Sequence, residues 1–214
     1  MPLHKVIYLS NNTKLYLWKI TEELTELLND VRLKDSSILR LASMKYESHK
    51  KGFLAVRKLL QHIDYNDFDL YYDAFGKPNL KPQGCAIKDM HISISHSNDF
   101  SAIAISEKNI GIDMEILKEK ILRIAPKFMN PTHLEHLSEG DKIKKATVIW
   151  GIKEAIFKIK NEKGISFPNH IFEDDFKFED KKAMATLKFN DKEERFNVEF
   201  NVEEEYIFVC AFEN

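Results

Sequence analysis

The sequence predicts an α+β chain of two similar lobes, residues 1–107 and 108–214, and three observations lead there. Period-two alternation of apolar and polar residues, the mark of half-buried strands, recurs in both halves. Stretches with apolar residues three and four apart, the mark of helices packed by one face, also occur in both. The length of 214 residues permits one large domain or two of about 100 residues each. No repeat and no Pro/Gly/Ser-rich linker separates the halves, so two lobes packed closely and meeting near residues 105–110 are expected.

Taken in order, Lys5 to Leu9 and Lys14 to Ile20 read as strands around an Asn11-Asn12 turn. Thr21 looks like the cap of a helix that carries Leu24, Leu27, Leu28 and Val31 on one side. A second helix is expected from about Ser43 to His62, with Phe53, Val56, Leu59 and Leu60 as its apolar stripe. Asp73 to Asn79, then Pro82 and Gly84, form a turn-rich stretch. Strands follow at His91 to Ser95, Phe100 to Ile105 and Ile110 to Ile116. Lys118 to Leu137 reads as helix interrupted at Pro126 and Pro131, and a firmer helix spans about Asp141 to Lys160. The chain ends in strands at Ala185 to Phe189, Arg195 to Phe200 and Tyr206 to Phe212, with Asn190-Asp191 as a hairpin turn.

Composition excludes several classes of function. Forty-three per cent hydrophobic residues supply a real core and exclude a disordered chain. Thirty-two Lys and Arg against 34 Asp and Glu leave a formal charge of -2, which argues against a nucleic-acid clamp. No apolar stretch approaches the roughly 20 residues of a membrane helix. Two cysteines, Cys85 and Cys210, cannot staple a domain of this size, and no signal peptide is read before them, so a reducing, cytoplasmic setting is expected.

The chemistry concentrates in a few places. Asp113 and Glu115 are two apart on a strand, so their carboxylates share one face and repel unless a cation lies between them. Mg²⁺ suits such a pair, because it takes oxygen ligands and keeps waters that a phosphate replaces; the plain alternative is an edge strand with a solvated acidic face. Trp150, Glu154 and Lys158, at i, i+4 and i+8, form one stripe of a helix whose core side is Ile149, Ile152, Ile156 and Ile159. Alone, Glu154 with Lys158 is an ordinary surface ion pair. Gly151 inside the helix costs about 1 kcal/mol relative to Ala, which asks for a reason to be small. Arg40, Lys45, Lys50, Lys51, Arg57 and Lys58 cluster against the single acid Glu47, either to bind phosphates or as a solvated face. Lys77, in the Gly76-Lys77-Pro78 turn, and Ser95-His96-Ser97 at a strand end could each meet a phosphate. His133 and His136, three apart, have no third ligand at a fitting distance and are read as surface residues.

Order and spacing join these pieces. Gly111-Ile-Asp-Met-Glu115 followed by Trp150-Gly-Ile-Lys-Glu-Ala-Ile-Phe-Lys158 resembles the two signature motifs of 4′-phosphopantetheinyl transferases, G-[IV]-D-x-E and W-x-x-K-E-[AS]-x-x-K. Phe75 to Pro78, Ile92 to Ser97 and Lys163 to Pro168 are similar to further family segments, and the length resembles the larger, surfactin-type class. The resemblance runs from about Lys45 to Pro168.

The resemblance implies two lobes related by a pseudo-twofold axis with the active site in the cleft between them, residues 1–107 contacting the coenzyme and residues 108–214 carrying the metal and catalytic groups. It implies transfer of the phosphopantetheine arm of coenzyme A to a serine of an acyl or peptidyl carrier protein, with release of adenosine 3′,5′-bisphosphate. Asp113, Glu115 and Glu154 would hold Mg²⁺, with Mn²⁺ as a substitute. Glu154 would also serve as general base, directly or through a water, and Lys158 would stabilise the diphosphate or assist proton movement. Gly76, Lys77, Pro78, Ser95, His96 and Arg57 would contact the coenzyme, Arg57 at its 3′-phosphate, with one of Lys45, Lys50 and Lys51 nearby. Lobes joined in one chain satisfy their interface internally, so a monomer is expected. Competing readings are an Mg²⁺-dependent phosphodiesterase or nuclease using the same acids, or a carrier-binding module without activity.

Overall fold

In the structure, a computed structural model that describes residues 3–81, 90–204 and 206–214, the chain divides into two compact units, Met1–Glu107 and Lys108–Asn214. The turn expected at Pro82 and Gly84, and Cys85, lie outside the described residues. Helix and strand mix in both units, as an α+β chain should.

The N-terminal unit opens with the hairpin of β1 (Leu3–Leu9) and β2 (Thr13–Lys19). Asn11 and Asn12 both take the left-handed conformation, at φ 57° and 52°, and Thr13 N–H closes the turn on the Ser10 carbonyl at 3.2 Å. That is the turn whose twist suits a two-residue hairpin, and asparagine tolerates it. Helices α1 (Leu24–Asn29), α2 (Asp35–Ser43) and α3 (Glu47–His62) follow. Next come the short hairpin strands β3 (Leu70–Tyr72) and β4 (Pro78–Leu80), then β5 (His91–Ser97) and β6 (Phe100–Ser106). The main sheet is antiparallel in the order β1-β2-β6-β5. Ala55, Val56, Leu59 and Leu60 of α3 pack on Trp18, Ile92 and Ile103 of that sheet, while Phe53 and Leu54 join Leu27 of α1 and Leu41 of α2.

Three expectations change here. The first helix is capped by Glu23 rather than Thr21, because the Glu23 N–H donates to the Glu26 carboxylate at 3.0 Å and Thr21 N–H is taken by Glu22. The helix expected from Ser43 begins at Glu47 instead, because Ser43 ends a separate helix, α2, and Met44 after it turns extended at ψ 128°. Ser95-His96-Ser97 lies within β5 rather than beyond its end.

The C-terminal unit begins with β7 (Ile110–Ile116), then α4 (Lys120–Ile124), and single 3-10 turns at Ala125–Lys127 and Pro131–Leu134 that replace the expected interrupted helix. The long helix α5 (Glu139–Lys160) starts at Ser138, whose hydroxyl accepts the Asp141 N–H at 3.2 Å, and stops at Asn161 in the left-handed conformation. After α6 (Phe167–His170) come β8 (Ile171–Glu173), β9 (Lys182–Phe189), β10 (Lys192–Val202) and β11 (Tyr206–Glu213). All strands of this sheet are antiparallel, in the order β7-β11-β10-β9-β8. Asn190 and Asp191 make the β9–β10 turn with positive φ. Ile149, Ile152, Ile156 and Ile159 of α5 are buried against Phe196, Val198 and Val209, with Cys210 also fully buried in β11. Among the described residues no helix is long and apolar enough to cross a membrane.

Candidate active site

Strand β7 and helix α5 bring the acids together, and two glycines set how closely the elements approach. A Cβ on Gly111 would lie 1.8 Å from the Ala155 carbonyl oxygen, so the strand backbone touches the helix backbone there. A Cβ on Gly151 would lie 2.6 Å from Cγ2 of Val209, the β11 residue paired with Asp113, and 3.8 Å from Asp113 Oδ2. Gly151 is therefore small because α5 crosses the β7–β11 pair with no room for a methyl group. The contact lies within a turn of Glu154 on the helix and of Asp113 on the strand.

Asp113 is buried, while Glu115 and Glu154 are partly buried. Burial raises the Glu154 carboxyl to about 7; the Asp113 and Glu115 charges push the same way, and Lys158 opposes them. The three carboxylates therefore feel one another in a poorly hydrated place. Lys158 Nζ donates to Asp113 Oδ1 at 2.9 Å and to the Ile112 carbonyl at 2.8 Å, supplying the cation of the cluster.

These groups fit a hard divalent cation by chemistry: oxygen donors that repel and gain by sharing a charge. Among the described residues, no three carboxylate, imidazole or thiolate groups stand together closely enough to hold an ion by themselves. Mg²⁺ asks for less, since it is usually held by one or two carboxylates together with waters and substrate phosphates.

A family model described as the 4′-phosphopantetheinyl transferase superfamily matches residues 109–211, nearly all of the unit that carries these acids. The C-terminal unit belongs to the 4′-phosphopantetheinyl transferase superfamily. The chain is also 34% identical, over 97 residues, to a 4′-phosphopantetheinyl transferase of Bacillus subtilis, covering 44% of this chain and 41% of that protein. It is 30% identical over 132 residues to 4′-phosphopantetheinyl transferase Sfp of Bacillus subtilis (strain 168), covering 58% of this chain and 57% of the relative. To 4′-phosphopantetheinyl transferase gsp of Aneurinibacillus migulanus it is 28% identical over 127 residues, covering 56% and 51%. The chain thus spans about half the length of these relatives.

Within this unit, the remaining motif residues hold the helix. Trp150 packs edge-on against Phe128 and Phe167, at 5.1 and 5.6 Å between ring centres. Lys153 is buried, with Nζ 2.8 Å from Glu173 Oε2, and burial lowers its pKa against the pull of that carboxylate. Glu173 had no signal in the sequence: it is one acid of the run Glu173-Asp174-Asp175, and only the fold shows which of them turns inward. His133, expected at the surface, is exposed, with Nδ1 3.2 Å from Glu173 Oε1; His136 is exposed as well.

The other residues assigned from sequence belong to the N-terminal unit. Asp73 organises the loop before β4: its Oδ1 accepts the Phe75 and Lys77 N–H groups at 2.8 and 2.9 Å, and Gly76 takes φ 87°. Lys77 and Pro78 are thus presented from a fixed turn, and the hairpin lies beside β5 with Ser95 buried and His96 exposed.

Arg57 must be corrected. Its guanidinium is 3% exposed, donates from Nε to Asp67 Oδ1 at 2.9 Å and from Nη1 to the Phe53 carbonyl at 3.2 Å, and lies 3.4 Å above the Phe53 ring. A guanidinium neutralised and sealed in this way is a core residue and offers no face to a 3′-phosphate. The basic cluster is also partly spent within the fold, since Lys51 pairs with Glu23 at 3.3 Å and Lys58 with Asp30 at 3.1 Å, both acids flanking α1.

Proposed function

We propose that the protein is a surfactin-type 4′-phosphopantetheinyl transferase that moves the phosphopantetheine arm of coenzyme A onto a serine of an acyl or peptidyl carrier protein. The observation that carries this is the cluster of Asp113, Glu115 and Glu154 beside Lys158, inside a domain of that superfamily. In this reading Asp113, Glu115 and Glu154, together with waters and the coenzyme's phosphates, would hold Mg²⁺, or Mn²⁺ in its place, which when bound offsets charge on the diphosphate. The serine oxygen attacks the phosphorus nearer pantetheine, the bond to the bridging oxygen breaks, and adenosine 3′,5′-bisphosphate leaves. Glu154 takes the serine proton, directly or through a water, and a carboxyl poised near neutral pH is suited to that task. Lys158 holds Asp113 in place and lends positive charge beside the diphosphate. Gly76, Lys77, Pro78, Ser95 and His96 of the N-terminal unit contact the coenzyme. We expect the protein to act as a monomer in the cytoplasm.

The experiment is to incubate the protein with coenzyme A, Mg²⁺ and a panel of apo-carriers, then weigh each carrier by mass spectrometry. Addition of one phosphopantetheine group is expected, on a serine. Release of free 4′-phosphopantetheine and adenosine 3′,5′-bisphosphate with the carrier unchanged would make the protein a hydrolase of the phosphodiesterase kind. No change to coenzyme or carrier would leave only a binding role.

A further inference from the structure

Helix α5 is gripped on two sides. Toward the sheet, Gly111 and Gly151 let it sit against β7 and β11 with no clearance. On another side, Trp150, Lys153 and Phe157 form a stripe at i, i+3 and i+7, and all three hold the segment that leads into β8. Trp150 and Phe157 each meet the Phe167 ring, at 5.6 and 5.9 Å between centres. Lys153, between them in the stripe, donates from Nζ to the Phe167 carbonyl at 3.4 Å, to the Ile171 carbonyl at 2.5 Å and to Glu173 Oε2 at 2.8 Å. Lys153 and Glu173 are 2% and 5% exposed.

A buried ion pair is poor evidence for stability, because well-packed apolar residues of similar volume often do as well or better. What an ammonium adds is direction: three acceptors from one crossing segment fix both the segment and the rotation of the helix that carries the donor. Glu154 is the next residue of that helix. A roll of about 20° is enough to take a functional group out of its working geometry.

We infer that Lys153 and Glu173 are positioning residues, a buried ionic clamp that sets the rotation of α5 so that Glu154 faces Asp113 and Glu115. Neither residue touches the coenzyme or the carrier. The inference rests on the proposed transferase reading for its kinetic part alone, since cation binding reports on the same geometry without turnover.

The test compares wild type, Lys153→Met/Glu173→Leu and Glu173→Asp by three readouts: the urea midpoint, Mn²⁺ affinity measured without coenzyme, and kcat and KM for coenzyme A. The apolar pair should keep a midpoint close to wild type, yet bind Mn²⁺ and turn over roughly 10- to 100-fold less well, as loss of a partner orienting a ligand does. KM for coenzyme A should stay within about twofold of wild type, because no coenzyme contact is lost. Glu173→Asp keeps both charges with the carboxylate one methylene shorter. It should fold and show a smaller loss in the same direction, so the inference is decided even if the apolar pair does not fold. Wild-type Mn²⁺ affinity and kcat in Glu173→Asp, or in a folded apolar pair, overturns it. A raised KM with kcat preserved also overturns it, by making the clamp a coenzyme contact. If wild type transfers nothing but binds Mn²⁺, and the variants bind it more weakly, the transferase reading falls and the clamp stands.

Discussion

Glu154 is where burial and like charge act on one proton. Its carboxyl is raised to about 7 from an ordinary value of 4.5, by burial first and by Asp113 and Glu115 as well. A carboxyl raised on folding binds its proton more tightly in the native chain, so its contribution to stability is present below about 4.5 and is lost as pH rises through about 7. Without metal, urea unfolding should therefore show wild type losing stability between pH 5 and pH 8 relative to Glu154→Gln, and Mg²⁺ should flatten that difference. In turnover, Glu154→Gln should lower kcat roughly 10²–10⁴-fold, with no rescue by excess Mg²⁺, if the carboxylate accepts the serine proton. Recovery at high Mg²⁺ would make it a ligand alone. Arg57 gives the opposite lesson. Leaving Asp67 buried without its guanidinium should destabilise Arg57→Ala by about 3–5 kcal/mol in urea unfolding, with KM for coenzyme A little changed in the folded fraction. The strand and helix periods placed Asp113 with Glu115 on one face and Glu154 with Lys158 on another, while only the resemblance to the two signature motifs joined the pairs into one site. Arg57 was misread because its partner Asp67, ten residues on, is a contact made only by folding.

At the scale of elements, alternation and turn residues located the long strands, and Asn11-Asn12 and Asn190-Asp191 marked their hairpins. Helix α2 was not visible for a specific reason: its N-terminus is capped from afar. Asp67 accepts the Lys34 N–H and the Ser37 hydroxyl, both at 2.9 Å, so no local cap is written in the sequence. Its stripe misleads too, since Ser37 is buried while Ile38 and Leu39 are exposed. Gly151 announced itself only as an anomaly, and its reason lies in Val209, 58 positions away. The two glycines predict graded effects. Gly111→Ala drives a methyl group into a helix carbonyl that cannot yield, so it should destabilise by at least the about 1–3 kcal/mol of an overpacked core. Gly151→Ala regains about 1 kcal/mol of helix propensity and meets the end of a side chain, so its loss should be smaller. Val209→Ala should restore much of it in the double variant, as read from urea midpoints.

At the scale of the molecule, each unit owns a core: α3 on its four-stranded sheet in one, α5 on its five-stranded sheet in the other. The C-terminal unit holds the three acids, Lys158 and the Lys153–Glu173 pair within residues 108–214. Expressed alone, that segment should unfold cooperatively in urea and bind Mn²⁺, yet transfer nothing to a carrier without the loop and strand residues of the N-terminal unit. A segment that is unfolded alone would show that the two cores depend on each other.

The burial of Cys210 has a practical consequence. Its thiol is fully enclosed in β11, the strand that joins β7 to the rest of the sheet, and burial raises its pKa well above the ordinary range. With Cys85 replaced by serine, this is the chain's sole thiol, and it sits where the strand bearing Asp113 must part from its neighbour before any reagent can enter. Maleimide uptake by that variant becomes a clock for the opening of the sheet beneath the acids. Mg²⁺ or coenzyme should slow the clock by the factor with which each holds the sheet closed, and this can be timed on the folded protein without assaying transfer at all.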